Sequence, residues 1–136
     1  ELNSFDKSLD IKDFDISFSR GLSLEDGCAT ITNFTAYLIA KGIEHANGDS
    51  NETIKYLVCG GGRKNDYLIK SIKNYLLHKK NISLHSIDEY NLNGDYIESQ
   101  AFGYLAIRSF LNLPISYPKT TGCVTPTVGG KLAQCF

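Results

Sequence analysis

The chain has 136 residues, of which 42% are hydrophobic and 11% aromatic, a composition typical of one globular domain rather than of a disordered or fibrous chain. Its 14 basic and 15 acidic side chains leave a formal net charge of -1, which disfavours nucleic acid as a partner. The sequence has neither the ~18-residue apolar run of a membrane span nor the pattern of a signal peptide, so we expect a cytoplasmic protein without a membrane partner.

The sequence contains no Met, even at position 1. Because translation begins with Met, we expect an excerpt of a longer protein that forms one partial domain over residues 1–136. None of its cysteines has the C-x-x-C spacing of a zinc or redox site, and a disulfide stays open as an alternative. We expect reduced thiols, with the first two partly buried in apolar segments: Cys28, Cys59, Cys123 and Cys135.

In chain order, residues 13–18 alternate between polar and apolar side chains, which predicts a short strand or a tail packed on another element. A helix follows, because Ser23 and Asp26 nearly form a capping box and Asn47 with Gly48 ends the periodic run. The apolar side chains of this helix cover a wide face, which predicts a buried helix: Ala29, Ile31, Phe34, Leu38, Ile39 and Ile43.

The middle of the chain alternates between strands and helices. An apolar run predicts a buried strand over residues 54–59, a helix is predicted over 66–78, and a second strand over 82–86. A third helix is predicted over 94–111, followed by a tail that is mostly loop over 120–130. This order predicts an α/β fold with parallel strands. Because two strands make an incomplete sheet, we expect the missing strands to precede residue 1.

The first strand runs into a glycine turn that opens the next helix. In such a turn, backbone N–H groups and a helix N-terminus can meet a phosphate or a nucleotide, and glycine lets the ligand approach closely. The turn matches neither the Rossmann nor the Walker A fingerprint. A tight turn without a ligand is therefore the alternative for these candidate residues: Gly60, Gly61, Gly62 and Asn65.

Two later segments also carry candidate residues. Glu98 falls in the first turn of the third helix, where a carboxylate either complements the helix dipole or contacts a ligand. Thr121 and Gly122 either line a polar site or form an ordinary turn. The sequence has no cluster of His, Cys and carboxylate residues that predicts a metal site, and we interpret the three histidines as surface or packing residues.

Together these segments resemble the C-terminal end of the anhydro-N-acetylmuramic acid kinase family, within the actin-like ATPase superfamily. The resemblance depends on four blocks in order: an Ala-Thr-rich helix at 29–36, G-G-G-x-x-N at 60–65, a helix similar to E-A-x-A-F-A-x-L-A at 98–106, and a closing Pro, Thr-Gly and Gly segment at 118–130. Ser99 and Gly103 depart from this pattern, because each stands where the family often has Ala.

The resemblance implies a two-lobed ribonuclease-H-like fold that closes over ATP. The implied reaction opens the 1,6-anhydro ring of anhydro-N-acetylmuramic acid and phosphorylates O6, with Mg2+ on the phosphates. The family's catalytic aspartate lies upstream in an N-terminal lobe, so we assign no catalytic residue here and expect the isolated chain to be inactive. The implied contacts are the nucleotide for Gly60, Gly61, Gly62 and Asn65, the sugar for Glu98, and the site margin for Thr121 and Gly122.

Two other classes of function stay open at this point. A stand-alone nucleotide-binding module that regulates a partner would bind ATP by itself, whereas a structural domain would use the glycines only for turns. An incomplete sheet would also expose a strand edge and apolar surface, which favours self-association. A homodimer is therefore a further expectation.

Overall fold

The structure, a computed structural model, describes residues 11–48 and 51–133. The chain divides into two compact units. Of the described residues, the sheet unit comprises Phe14–Ile97, and the C-terminal unit comprises those from Glu98 onwards together with residues 11–13.

Over the described ranges the chain forms four α-helices and two β-strands. The helices are α1 (Leu24–Asn47), α2 (Asp66–Tyr75), α3 (Ile97–Phe110) and α4 (Pro118–Thr121). The strands are β1 (Ile54–Val58) and β2 (Ile82–Ser86). None of the helices in residues 11–48 and 51–133 is both long and apolar enough to span a membrane.

The two strands pair in parallel, with Ile54 opposite Ile82 and Val58 opposite Ser86. Helix α2 lies between them in sequence, as a crossover connection between parallel strands requires. The predicted α/β fold with parallel strands is confirmed. However, β1 ends one residue earlier than predicted and alternates between half-buried and exposed residues instead of being buried. Because the pairing is parallel, the carboxyl ends of both strands lie at the same edge of the sheet.

The core of the sheet unit lies where α1 and α2 pack together. Ala36 and Ala40 of α1 are buried against Ile72 and Leu76. Partly buried apolar side chains surround these four: Ile43, Leu68, Ile69, Tyr75, Ile82 and Leu84. The helix predicted over residues 66–78 is therefore confirmed, although α2 itself ends at Tyr75.

Helix α1 has the predicted ends but not the predicted burial. Its N-cap is Ser23, whose side-chain oxygen accepts a hydrogen bond from the Asp26 backbone N–H at 3.1 Å, and Gly48 follows its last residue with φ 52°. Ala36 and Ala40 are buried, whereas Ile39 remains 39% exposed. The prediction of a wide buried face is wrong, because the buried apolar residues of α1 are the small Ala36 and Ala40, and Ile43 is only partly buried against them.

Residues 13–18 do not form the predicted strand. The segment instead contains two short 3-10 helices, Ile11–Asp13 and Ser17–Ser19. The Asp15 carboxylate accepts hydrogen bonds from the backbone N–H and the hydroxyl of Ser17, at 2.8 and 3.0 Å, and such local bonds favour a turn over a strand. The alternative of a packed tail is confirmed, because the Phe18 ring contacts the Phe34 ring edge-on at 5.1 Å.

In the C-terminal unit, α3 begins at Ile97, three residues after the predicted start. Beyond it, Pro118 occupies the first turn of the short helix α4. An isolated antiparallel bridge joins Ser116 to Thr127. The rest of the segment 120–130 is irregular beyond Thr121, as predicted.

The described cysteines are free thiols, as predicted, but two are more exposed than predicted. Cys28 and Cys59 are exposed, and Cys123 is half-buried. Cys28 follows the first turn of α1, on the part of the helix that precedes the α2 contact, and Cys59 follows β1 where the chain leaves the sheet. Cys135 lies outside the described residues, so the disulfide alternative that involves it stays a prediction.

Truncation of the Ile72 side chain should strongly destabilise the fold. Its side chain is 2% exposed, so we expect Ile72→Ala to lower the free energy of unfolding by about 2–5 kcal/mol. Leu77→Ala is the matched control, because Leu77 lies near the same end of α2 and is 75% exposed; it should cost less than about 0.5 kcal/mol. Urea denaturation followed by circular dichroism checks both values, and equal losses would contradict the assignment of the core.

Candidate nucleotide site

The candidate turn lies at the carboxyl edge of the sheet, directly after β1. Gly60 has φ 77°, a conformation that favours glycine because other residues meet a steric cost there. Gly61–Lys64 then forms one 3-10 turn, and Asn65 begins α2 as its N-cap. The predicted order of strand, glycine turn and helix N-terminus is confirmed.

Asn65 has a structural role of its own. Its side-chain oxygen accepts a hydrogen bond from the Leu68 backbone N–H at 3.0 Å, which satisfies one of the amide groups left unpaired at a helix N-terminus. This bond leaves the side-chain nitrogen and the backbone of Asn65 for the predicted contact with a nucleotide.

Gly61 and Gly62 have no comparable role in the described part of the fold. A Cβ atom built on Gly61 meets nothing within 4 Å, and one on Gly62 makes only an ordinary 3.5 Å contact with Leu68 Cδ2. Neither residue has positive φ. Their backbone conformation and packing would accept alanine, so the fold itself does not explain why both positions are glycine.

The most constrained side chain at the turn is Arg63, which the sequence analysis did not single out. Its guanidinium donates to Asp88 at 2.6 Å, to Asp95 at 2.6 Å, and to the Gly60 carbonyl at 2.9 Å. The side chain is only 7% exposed. Lys64 reaches the second oxygen of Asp95 at 2.7 Å but stays 62% exposed.

These contacts fix the charges at the turn. Hydrogen bonds from Arg63, and then from the Gly94 backbone N–H, hold the pKa of Asp88 well below its usual range. Arg63 and then Lys64 lower the pKa of Asp95 to about 2. Both carboxylates are consequently ionised at neutral pH, and both are paired with cations.

A physical signal for this cluster exists in the sequence. Arg63 lies in the turn after β1, and Asp88 follows β2 within two residues. Because the carboxyl ends of neighbouring parallel strands share one edge of the sheet, oppositely charged residues at these two places are expected to meet. Predicting the parallel pair was therefore sufficient to propose the contact between Arg63 and Asp88.

The candidate sugar contacts belong to the C-terminal unit. Glu98 lies in the first turn of α3, as predicted, and is exposed. Thr121 and Gly122 are adjacent at the end of α4, where the Thr121 hydroxyl contacts the Ser116 hydroxyl. Gly122 has φ 72° and donates its N–H to the Pro118 carbonyl at 3.0 Å, so the turn alone accounts for glycine at this position.

A second arginine that the sequence analysis missed organises the segment between α3 and α4. The Arg108 guanidinium donates to the Pro114 carbonyl at 2.8 Å and to the Tyr117 hydroxyl at 2.9 Å. It also lies over the Tyr104 ring, 5.7 Å from the ring centre, in a cation–π contact. Arg108 thereby connects the end of α3 to the residue that caps α4.

Over residues 11–48 and 51–133, no group of three His, Cys, Asp or Glu side chains is placed to hold a metal ion. The two carboxylates nearest the turn are already engaged by Arg63 and Lys64.

Comparison with known proteins decides the family. A family model described as anhydro-N-acetylmuramic acid kinase matches residues 9–134, which is most of the chain. The chain belongs to this family. The resemblance predicted from the four sequence blocks is confirmed.

Individual family members agree with this assignment. The chain is 51% identical over 130 residues to the anhydro-N-acetylmuramic acid kinase of Pelagibacter ubique, covering 95% of the chain and 34% of that protein. It is 40% identical over 126 residues to the enzyme of that name from Zymomonas mobilis, covering 93% of the chain and 33% of that protein. The chain thus spans about a third of the length of these relatives.

The geometry of Asn65 separates its capping role from a ligand contact. Asn65→Ala removes the cap and should lower the free energy of unfolding by about 1 kcal/mol. Asn65→Asp keeps the capping oxygen and adds charge at a helix N-terminus, so we expect stability to be retained. Thermal denaturation of the two variants checks this, and equal destabilisation would show that the oxygen is not the group that matters.

The ion pairs of Asp95 predict a pH-dependent stability. Its pKa in the folded state is lowered to about 2, below the ~3.9 of an unfolded aspartate. The contribution of the ionised carboxylate is therefore present above pH ~4 and is lost as the pH falls through the folded-state pKa. We expect the Tm of Asp95→Asn to lie below that of the wild type at pH ~6 and to converge with it as the pH approaches ~2. A constant difference across this range would contradict the ion-pair assignment.

Proposed function

We propose that this chain is the C-terminal part of an ATP-dependent kinase that opens the 1,6-anhydro ring of anhydro-N-acetylmuramic acid and phosphorylates O6. Membership of the family and the names of its relatives support the reaction. Residues 1–136 would form part of one lobe of a ribonuclease-H-like fold, and the second lobe would supply the catalytic aspartate. The isolated residues would then be inactive.

The main support for the nucleotide site is that the fold does not explain why Gly61 and Gly62 are glycine. Both residues could accept a Cβ without strain or collision in the described fold, so a close approach by something else explains them better than local structure does. They lie at the carboxyl edge of parallel strands and directly before the N-terminus of α2, where ligands of α/β proteins and phosphate groups are commonly bound. We propose that Gly60, Gly61, Gly62 and Asn65 contact ATP.

The sugar side of the proposal uses the C-terminal unit. The Glu98 carboxylate is exposed on the first turn of α3, and we propose that it accepts hydrogen bonds from sugar hydroxyls. Thr121 and Gly122 would form the margin of that site. Mg2+ bound to the ATP phosphates would neutralise charge during phosphoryl transfer. The residues described here would orient the nucleotide and the sugar.

The proposal extends to the setting of the enzyme. We propose a cytoplasmic kinase that has no nucleic acid or membrane partner and self-associates as a homodimer. Large apolar side chains on α3 support an association surface, since Phe102, Ile107 and Phe110 are 65%, 61% and 69% exposed.

Gly61→Ala tests the nucleotide site in the intact gene product that contains these residues. The substitution should leave the fold unchanged but raise the KM for ATP by about tenfold, because the added methyl group would occupy the path of the ligand. The KM for the anhydro sugar should change little. Phosphate transfer from MgATP to anhydro-N-acetylmuramic acid, followed by mass spectrometry and phosphorus NMR of the product, provides the assay.

Gly42→Ala is the matched control for this experiment. Gly42 lies in α1, and a Cβ there also meets nothing within 4 Å, so the variant should keep both KM values and gain up to about 1 kcal/mol of stability. An unchanged KM for ATP in Gly61→Ala would contradict the nucleotide site. ATP binding without any phosphorylated sugar would instead support the nucleotide-binding module over the kinase.

A further inference from the structure

The cluster around Arg63 has a role that the glycine turn alone does not explain. We propose that Arg63 is a positioning residue: together with Asp88 and Asp95 it clamps the glycine turn in the conformation that receives the nucleotide. This inference rests on the proposed function of the turn. Arg63 would affect the affinity for the nucleotide without contacting ATP directly.

The clamp joins three separate parts of the chain. The guanidinium binds the Gly60 carbonyl within the turn, the Asp88 carboxylate after β2 and the Asp95 carboxylate before α3. A second guanidinium nitrogen donates to the other oxygen of Asp88 at 3.3 Å. These bonds fix the position and the direction of the turn relative to the edge of the sheet.

Backbone contacts complete the clamp on the same side. The Gly60 N–H donates to the Gly94 carbonyl at 2.9 Å, and the Gly94 N–H donates to Asp88 at 2.9 Å. A Cβ on Gly94 would lie 2.7 Å from Arg63 Cζ, so glycine is required for the segment to approach the guanidinium. Arg63 is therefore enclosed by Asp88, Gly94 and Asp95.

The turn also has open space at two of its glycines. Cβ atoms built on Gly60 and Gly61 meet nothing within 4 Å among the described residues. A turn that is held by Arg63 and has open space at its glycines is the arrangement that a preorganised backbone site requires. Glycine loses more conformational entropy on ordering than any other residue, so a turn ordered in advance binds its ligand at lower entropic cost.

The chemistry of the clamp requires arginine. Its planar guanidinium has five N–H donors in a fixed arrangement, which allows it to bind two carboxylates and a carbonyl at once. A lysine ammonium at the same place is a point charge without this geometry. Arg63→Lys should therefore keep the charge but lose part of the positioning.

The test compares nucleotide and sugar kinetics in the intact gene product. We expect Arg63→Ala to raise the KM for ATP by about tenfold or more, with kcat reduced by less than about threefold and the KM for the anhydro sugar unchanged. Arg63→Lys and Asp95→Asn should give intermediate increases in the KM for ATP.

Ethylguanidinium added to Arg63→Ala should restore part of the ATP affinity, which a general loss of stability would not allow. Arg20→Ala, at an exposed arginine in the same unit, should behave as the wild type.

The outcomes separate the clamp from the site on which it depends. If Gly61→Ala raises the KM for ATP but neither Arg63→Lys nor Asp95→Asn does, the site stands and the clamp is overturned. If kcat and both KM values change together and ethylguanidinium restores nothing, Arg63 serves only the fold and the clamp is likewise overturned. An unchanged KM for ATP in all of these variants overturns the nucleotide site and the clamp with it. Should Arg63→Ala not fold, the two conservative variants decide the matter.

Discussion

Parallel pairing of β1 with β2 is the constraint on which the rest of the sheet unit depends. It places the loops after Val58 and Ser86 at one edge, where a cation on the first loop can meet the carboxylates on the second. Arg63 uses this proximity, with 7% of its side chain exposed. Arginine is almost never buried without partners, because burying an unpaired charge costs far more free energy than the packing of its side chain contributes. The position of the glycine turn therefore follows from the strand pairing and from the charge it brings together.

Much of the sheet unit could be predicted from local sequence patterns. The apolar run before Gly60, the face of α2 and the stop at Gly48 each depend on residues close in sequence, and the structure contains all three. The capping role of Ser23 is equally local, because its oxygen binds an amide only three residues away. These features are set by interactions between residues close in sequence, and the tertiary contacts of the fold do not change them.

Features decided by competition or by distance were not predictable in the same way. Over residues 13–18 the period-two pattern favoured a strand, but the local bonds between Asp15 and Ser17 favoured a turn. The wide apolar face predicted for α1 was wrong, because the residues of α1 that are buried against α2 are Ala36 and Ala40, whose small side chains allow closer approach. Arg63 and Asp95 are 32 residues apart, and a tertiary contact between the segments around Gly60 and Gly94 makes them neighbours.

Family membership and local geometry contribute different parts of the argument about the site. A G-G-G-x-x-N motif is compatible with a plain turn, and Gly60 and Asn65 indeed have structural reasons for their identity: a positive φ and a helix cap. Gly61 and Gly62 have no such reason in the described fold. A buried arginine donates to the Gly60 carbonyl beside these two glycines, although the fold of α2 needs only the cap. A turn that served α2 alone would have no use for both features, whereas a backbone surface that a ligand must approach closely requires each of them.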